Sequence, residues 1–260
     1  MCGRFNIISD PLTRLLLEIT GMDYGVDDRF NVAPTEQIPV IAKQDSPHAH
    51  VDSQPVSQQG SQQGSQSGPQ QGSGQGRRAA AGWDIREMRW WLVPSWVSEP
   101  TTKYSMFNAR AEGLSKSRAF QQPFKSSRCI VPVSGYYEWR KASSGKVPYC
   151  ITPAEQPGFP LAGLWDRWQR GDQVIESCTI ITCQAHPSLA FIHPRMPVCL
   201  DLDQIDQWLD GATDADTLQQ MLLPKEDISL EVIPVSTYVS NSRNKGQQCI
   251  EPIGDTIHIH

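Results

Sequence analysis

The chain has 260 residues, 28 acidic and 23 basic, for a formal charge of −5 at pH 7. That balance excludes indiscriminate nucleic-acid binding through a broadly basic surface, yet leaves room for a local cationic groove. Seven cysteines, no charged-then-apolar leader and no apolar run of about 18 residues predict a reduced, soluble, cytoplasmic protein without a membrane span.

Reactive groups are concentrated in the first six residues, Met1-Cys2-Gly3-Arg4-Phe5-Asn6. With Met1 removed, Cys2 carries an α-amine and a thiol on adjacent carbons. Their ordinary pKa values, about 7.7–8.0 and 8.5, leave a usable unprotonated fraction of each near neutrality. Such a 1,2-aminothiol condenses with an aldehyde to an imine, and the thiol then closes the ring to a thiazolidine. Gly3 leaves the backbone open to close approach, and Arg4 is a permanent cation suited to phosphate. The alternative is that Cys2 is an accident of the start site.

Asp10-Pro11 predicts a helix start, with Asp10 as cap and Pro11 at the first helical position. Leu12, Leu15, Leu16 and Ile19 then share a face, and Gly21 ends the helix. Arg29–Pro34 reads as a turn-rich entry to a strand near Gln37–Ala42. From Ser57 to Gly76 the chain falls into five four-residue units rich in Gln, Gly and Ser. Without aromatic or charged residues, this stretch predicts a disordered insertion at about 53–78. Strand character returns at Glu87–Val93, before the Pro94-Ser95-Trp96 turn. An extended Lys103–Glu112 precedes a polar helix around Ser115–Gln122. Five strands follow: Cys129–Val133, Tyr136–Arg140, Val147–Thr152, Leu161–Trp165 and Val174–Thr182. Two late helices are expected, Leu202–Leu209 behind Asp201 and Ala215–Leu223 behind Thr213, then a strand at Glu231–Val235. Short strands with peripheral helices predict an α+β fold, a curved, barrel-like antiparallel sheet in a single domain spanning 1–260.

Within a strand, Tyr136, Glu138 and Arg140 share one face while Tyr137 and Trp139 take the other. Glu138 is then either a salt-bridged strand residue or an acid/base in a cleft. His193-Pro194-Arg195-Met196-Pro197 holds a histidine and an arginine in a Pro-locked turn. Asn108 and Arg110, two apart in an extended segment, point the same way. Trp90 and Trp91 face opposite ways, so at most one is a core residue or a base-stacking platform. Cys178, Cys183, His186 and His193 are zinc-type ligands, but the odd spacing of the cysteines puts them on opposite faces and argues against a metal.

These stretches, in this order, resemble the SOS-response-associated peptidase (SRAP) family, whose members shield abasic sites in single-stranded DNA. The resemblance is carried by Cys2-Gly3-Arg4-Phe5, Phe30-Asn31-Val32-Ala33-Pro34, Trp90 through Pro94-Ser95-Trp96, and Asn108-Ala109-Arg110-Ala111-Glu112. Gly135-Tyr136-Tyr137-Glu138-Trp139, His193 through Pro197, Pro234-Val235-Ser236 and the Asn244-Lys245-Gly246 region complete it. It departs from the family at the Ser57–Gly76 repeat and at Trp91, where some members have glycine.

The resemblance implies an enzyme of DNA damage repair whose partner is single-stranded DNA containing abasic sites. It implies a monomer with no cofactor or metal, nucleoid-associated if bacterial. The abasic aldehyde is then the electrophile that Cys2 traps as a reversible thiazolidine crosslink. By the same resemblance His193 is an acid/base, Glu138 orients or deprotonates the amine and assists reversal, and Asn108 bonds the Cys2 terminus or sugar. Arg4, Arg110 and Arg195 are implied as phosphate contacts, and Trp90 or Trp91 as the base stacker. Two alternatives remain: a thiol (auto)peptidase using Cys2 with Glu138 and His193, and a non-covalent single-strand-binding module.

Overall fold

Runs of β-branched and aromatic residues punctuated by Gly, Pro and Ser build most of the structure, a computed structural model that describes residues 2–43, 82–100, 104–143 and 145–260. The repeat expected to be disordered, about 53–78, lies outside the described residues. In chain order the elements are β1 (Phe5–Ile7), α1 (Ser9–Thr20), β2 (Arg29–Val32), β3 (Gln37–Lys43), β4 (Trp83–Trp90) and β5 (Asn108–Arg110). Next come α2 (Gln121–Ser126), β6 (Arg128–Val133), β7 (Gly135–Ala142), β8 (Gly145–Pro153), β9 (Phe159–Arg170) and β10 (Gln173–Gln184). The last are β11 (Arg195–Pro197), α3 (Ile205–Leu209), α4 (Ala215–Met221), β12 (Leu230–Pro234) and β13 (Ile257–Ile259).

The fold is α+β, as expected, and the barrel is closed. Strands β10, β4, β3, β6 and β9 pair in that order, and β9 pairs back to β10. The ring is mixed rather than antiparallel, because β10 runs parallel to β4 and also to β5. Alternation along a strand encodes which face is buried, not which neighbour it meets or in which direction. A second, antiparallel sheet runs β13-β12-β8-β7-β1-β2. The β9 and β10 strands form one long hairpin, turned at Gly171 with φ 55°, where a side chain would be strained.

The helices pack outside. Leu12, Leu15, Leu16 and Ile19 of α1 are buried, and Gly21 adopts φ 70° with its N–H bonded to the Leu17 carbonyl at 2.8 Å. Asp10 does not cap α1. Ile8 holds that position, and the Asp28 carboxylate accepts from the Ser9 N–H at 2.7 Å, while Asp10 pairs with Arg14 within the first turns. The polar helix expected at 115–122 is instead a 3-10 turn, Ala111–Lys116, followed by α2. Pro123 explains the shift: proline is tolerated in a first turn, where its missing N–H has no intrahelical partner anyway. At α4 the cap is Asp214, which accepts from the Thr217 N–H at 2.9 Å, and not Thr213.

Arg128 ties the helices to the barrel. Its buried guanidinium donates to the carbonyls of Phe124, Lys125, Trp208 and Asp210, at the C-terminal ends of α2 and α3. No helix among the described residues is long and apolar enough to cross a membrane.

Candidate functional site

The site grows from the junction of β1 with β7. Phe5 pairs with Tyr136 and Asn6 with Gly135, and the Tyr137 N–H donates to the Arg4 carbonyl at 2.9 Å. Gly135 is needed at this seam, since a Cβ there would lie 2.9 Å from the Ile151 carbonyl oxygen. The alternation read from the sequence is present: Tyr136 enters the main core, whereas Tyr137 packs into a second cluster with Trp139 against it. Glu138 therefore shares the Tyr136 face and is 4% exposed.

Cys2, extending from β1, is fully buried beside this carboxylate. Burial pushes its thiol well above the ordinary value, and the negative charge of Glu138 pushes it further. Asn108 closes the arrangement. The parallel pairing of β5 with β10 brings its amide to the Cys2 carbonyl, to which Nδ2 donates at 2.7 Å. Residues 2, 108 and 138, far apart in sequence, thus meet at one place.

His193 lies just before β11, which pairs with β10. Its Nδ1 accepts from the Arg195 N–H at 3.0 Å and also lies 3.2 Å from the Arg195 carbonyl. That nitrogen therefore has a backbone partner whether it is bare or protonated, a suitable mounting for an acid/base.

Residues 1–242 match the family model described as SOS response associated peptidase (SRAP). The chain belongs to the SRAP family. It is similar to the abasic site processing protein YoqW of Bacillus subtilis, 36% identical over 170 residues that cover 64% of this chain and 76% of that one. It is also similar to the abasic site processing protein HMCES of Gallus gallus, 35% identical over 196 residues, or 65% of this chain and 57% of that protein. A solved structure of a Bordetella bronchiseptica protein superposes with a TM-score of 0.67 at 20% identity, covering 90% of this chain and all of that one, and supports the fold alone.

The SRAP chain distributes its expected DNA-contacting residues unevenly. Trp90 is fully buried, its ring 4.7 Å from that of Phe5 and its N–H donated to the Phe107 carbonyl. It has no free face for a base, which leaves Trp91 as the candidate of the pair. Trp91 is half-buried and leans on Phe107 with ring centroids 5.5 Å apart. Arg110 is exposed. Arg195 forms a two-pronged pair with the Glu112 carboxylate, at 2.5 and 3.0 Å, and holds that carboxyl below its usual range. Arg4 is half-buried and donates to the Asn31 side chain at 2.9 Å and to the Val239 carbonyl at 3.0 Å.

Two features escaped the sequence reading. Trp96 is 47% exposed under the Arg118 guanidinium, which sits 4.0 Å from the ring centroid. The other is Asn31, fully buried in the SRAP core. Its Nδ2 donates to the carbonyls of Val239, Asn241 and Asn244 at 3.1, 3.1 and 2.9 Å, while its Oδ1 accepts from Arg4. One amide thus latches the 239–244 loop beside the N-terminal segment. Phe30-Asn31-Val32-Ala33-Pro34 was legible as a motif, but a buried asparagine and an exposed one look alike in a strand pattern. Asn31→Ala is expected to cost roughly 2–4 kcal/mol in urea unfolding, because it strands several buried polar groups at once. A loss below about 0.5 kcal/mol, typical of a neutral surface change, would overturn this role.

Proposed function

We propose that this chain senses abasic sites in single-stranded DNA and shields them by a reversible thiazolidine crosslink through Cys2. The observation that carries the reading is the meeting of Cys2, Asn108 and Glu138, with the Cys2 carbonyl held by Asn108 at 2.7 Å. Fixing the backbone of residue 2 orients its amine and thiol together, as a two-step ring closure needs. The names of the relatives, abasic site processing proteins, support the choice of substrate.

With Met1 removed, the Cys2 amine attacks the aldehyde carbon of the ring-opened deoxyribose and one water leaves, giving an imine. Sulfur then bonds to the imine carbon while nitrogen regains a proton, so the net change is the loss of one water. Closure also removes the imine that would otherwise drive strand scission. Glu138 is the base beside the thiol and the amine, and His193 serves as acid/base in sugar ring opening. Arg110, with Arg4 and Arg195, contacts phosphates, and Trp91 stacks on a base. A thiol-peptidase reading uses Cys2 with Glu138 and His193 but gives the amine beside the thiol no task, since attack on a peptide bond needs the thiol alone.

The test is incubation with an abasic single-stranded oligonucleotide, followed by a boiled denaturing gel and intact mass. Expected is a shifted band with the mass of both components less one water, on a chain that begins at Cys2. Absence of that band, or its full formation by protein retaining Met1, would refute the reading.

A further inference from the structure

A separate concavity opens at the ends of β8, β9 and β12, with a volume of about 390 Å³. Ligand pockets commonly span roughly 300–1,000 Å³. Tyr136 lines it, two residues along the same face of β7 from Glu138, but Cys2, Asn108, Glu138 and His193 do not. Phe159, Pro160, Val198 and Leu200 make apolar walls, and Leu223 stands at the lip, 57% exposed. Around this centre the charge is one-sided. Glu155, Asp201 and Asp227 supply carboxylates; the lysine of the lining, Lys225, pairs with Asp201 at 2.5 Å, which leaves Glu155 and Asp227 as the negative charges it does not offset. One imidazole, His260, also lines it, as do the Tyr136 phenol and the Cys183 and Cys199 thiols.

An apolar centre inside a charged rim is the anatomy of a protein-binding patch. The sign of the rim repels a phosphodiester strand, so this face is unsuited to DNA. We infer that the pocket docks a short peptide segment of a partner protein, with one bulky apolar side chain in the cavity and adjacent lysines or arginines against the carboxylates. Charge complementarity selects that partner over an acidic one, and the exposed leucine supplies the apolar surface that the anchor covers. The inference does not depend on the thiazolidine chemistry.

Random peptides displayed on phage, selected on the intact protein, provide the probe. Counter-selection uses a Leu223→Lys, Asp227→Lys double variant, whose changes sit on exposed lip and rim positions and are checked for an unchanged melting temperature. Expected are enriched peptides that place a bulky apolar residue next to Lys or Arg. Fluorescein-labelled copies should lose about tenfold or more in affinity for the double variant. The same variant should crosslink an abasic oligonucleotide like the parent. The inference fails if no sequence is enriched, if the enriched peptides are acidic or uncharged, or if they bind parent and variant alike. No DNA enters the selection, so failure here leaves the crosslinking reading standing, and failure of crosslinking leaves this one standing.

Discussion

Cys2→Ser is expected to remove the boiling-stable protein–DNA adduct altogether while leaving affinity for intact single-stranded DNA near normal. Serine keeps the α-amine, so an imine still forms. Its hydroxyl is a far weaker nucleophile than a thiol, and the ring does not close. Any remaining complex should appear only after borohydride reduction, which converts the imine to a stable amine. The exchange is nearly isosteric in a fully buried position, so folding should survive, as a thermal melt would establish. A serine variant that gives parental adduct yield without borohydride would show that sulfur takes no part. Loss of DNA binding together with the adduct would instead place Cys2 in the groove rather than in the chemistry.

Proton transfer and strand holding should separate in the second experiment. Glu138→Gln and His193→Ala are expected to slow single-turnover crosslinking by about 10²–10⁴-fold at saturating DNA, the usual contribution of general acid–base groups. Binding should change little. The glutamine keeps the shape of a side chain that is 4% exposed, so a rate loss reports its charge and basicity rather than a cavity. Under the proposed mechanism one carboxylate serves both directions, so release of a preformed adduct should slow as well. Arg110→Ala should behave in the opposite way, weakening binding and reducing the magnitude of the salt slope by roughly 0.7 for one lost phosphate contact. Crosslinking kinetics beside fluorescence anisotropy at several salt concentrations distinguish the two patterns. Normal saturated rates with weakened binding in Glu138→Gln and His193→Ala would move both residues to the DNA surface.

The chain by itself determined a good part of this protein. A 3.6-residue stripe from Leu12 to Ile19 ending at Gly21 specified α1. Period-two alternation from Tyr136 to Arg140 specified which side Glu138 shares with Tyr136. Both are local patterns, and side-chain direction follows from backbone period alone. The cysteine beside the start, with the motifs in their order, pointed to the family. What the sequence left open depends on partners distant along the chain. The parallel pairing of β10 with β4 and β5 decides that Trp90 is walled in and that Asn108 reaches Cys2. Likewise Asn31 finds the Val239 carbonyl 208 residues away, and Arg195 finds Glu112 across 83. Before folding, the polar groups of Asn31, Arg4 and Arg195 are satisfied by water, and no periodicity names the groups that replace it. Tertiary packing chooses those partners, bringing the 239–244 loop onto β2 and the Ala111–Lys116 turn beside β11, and burial then requires the polar atoms to be matched.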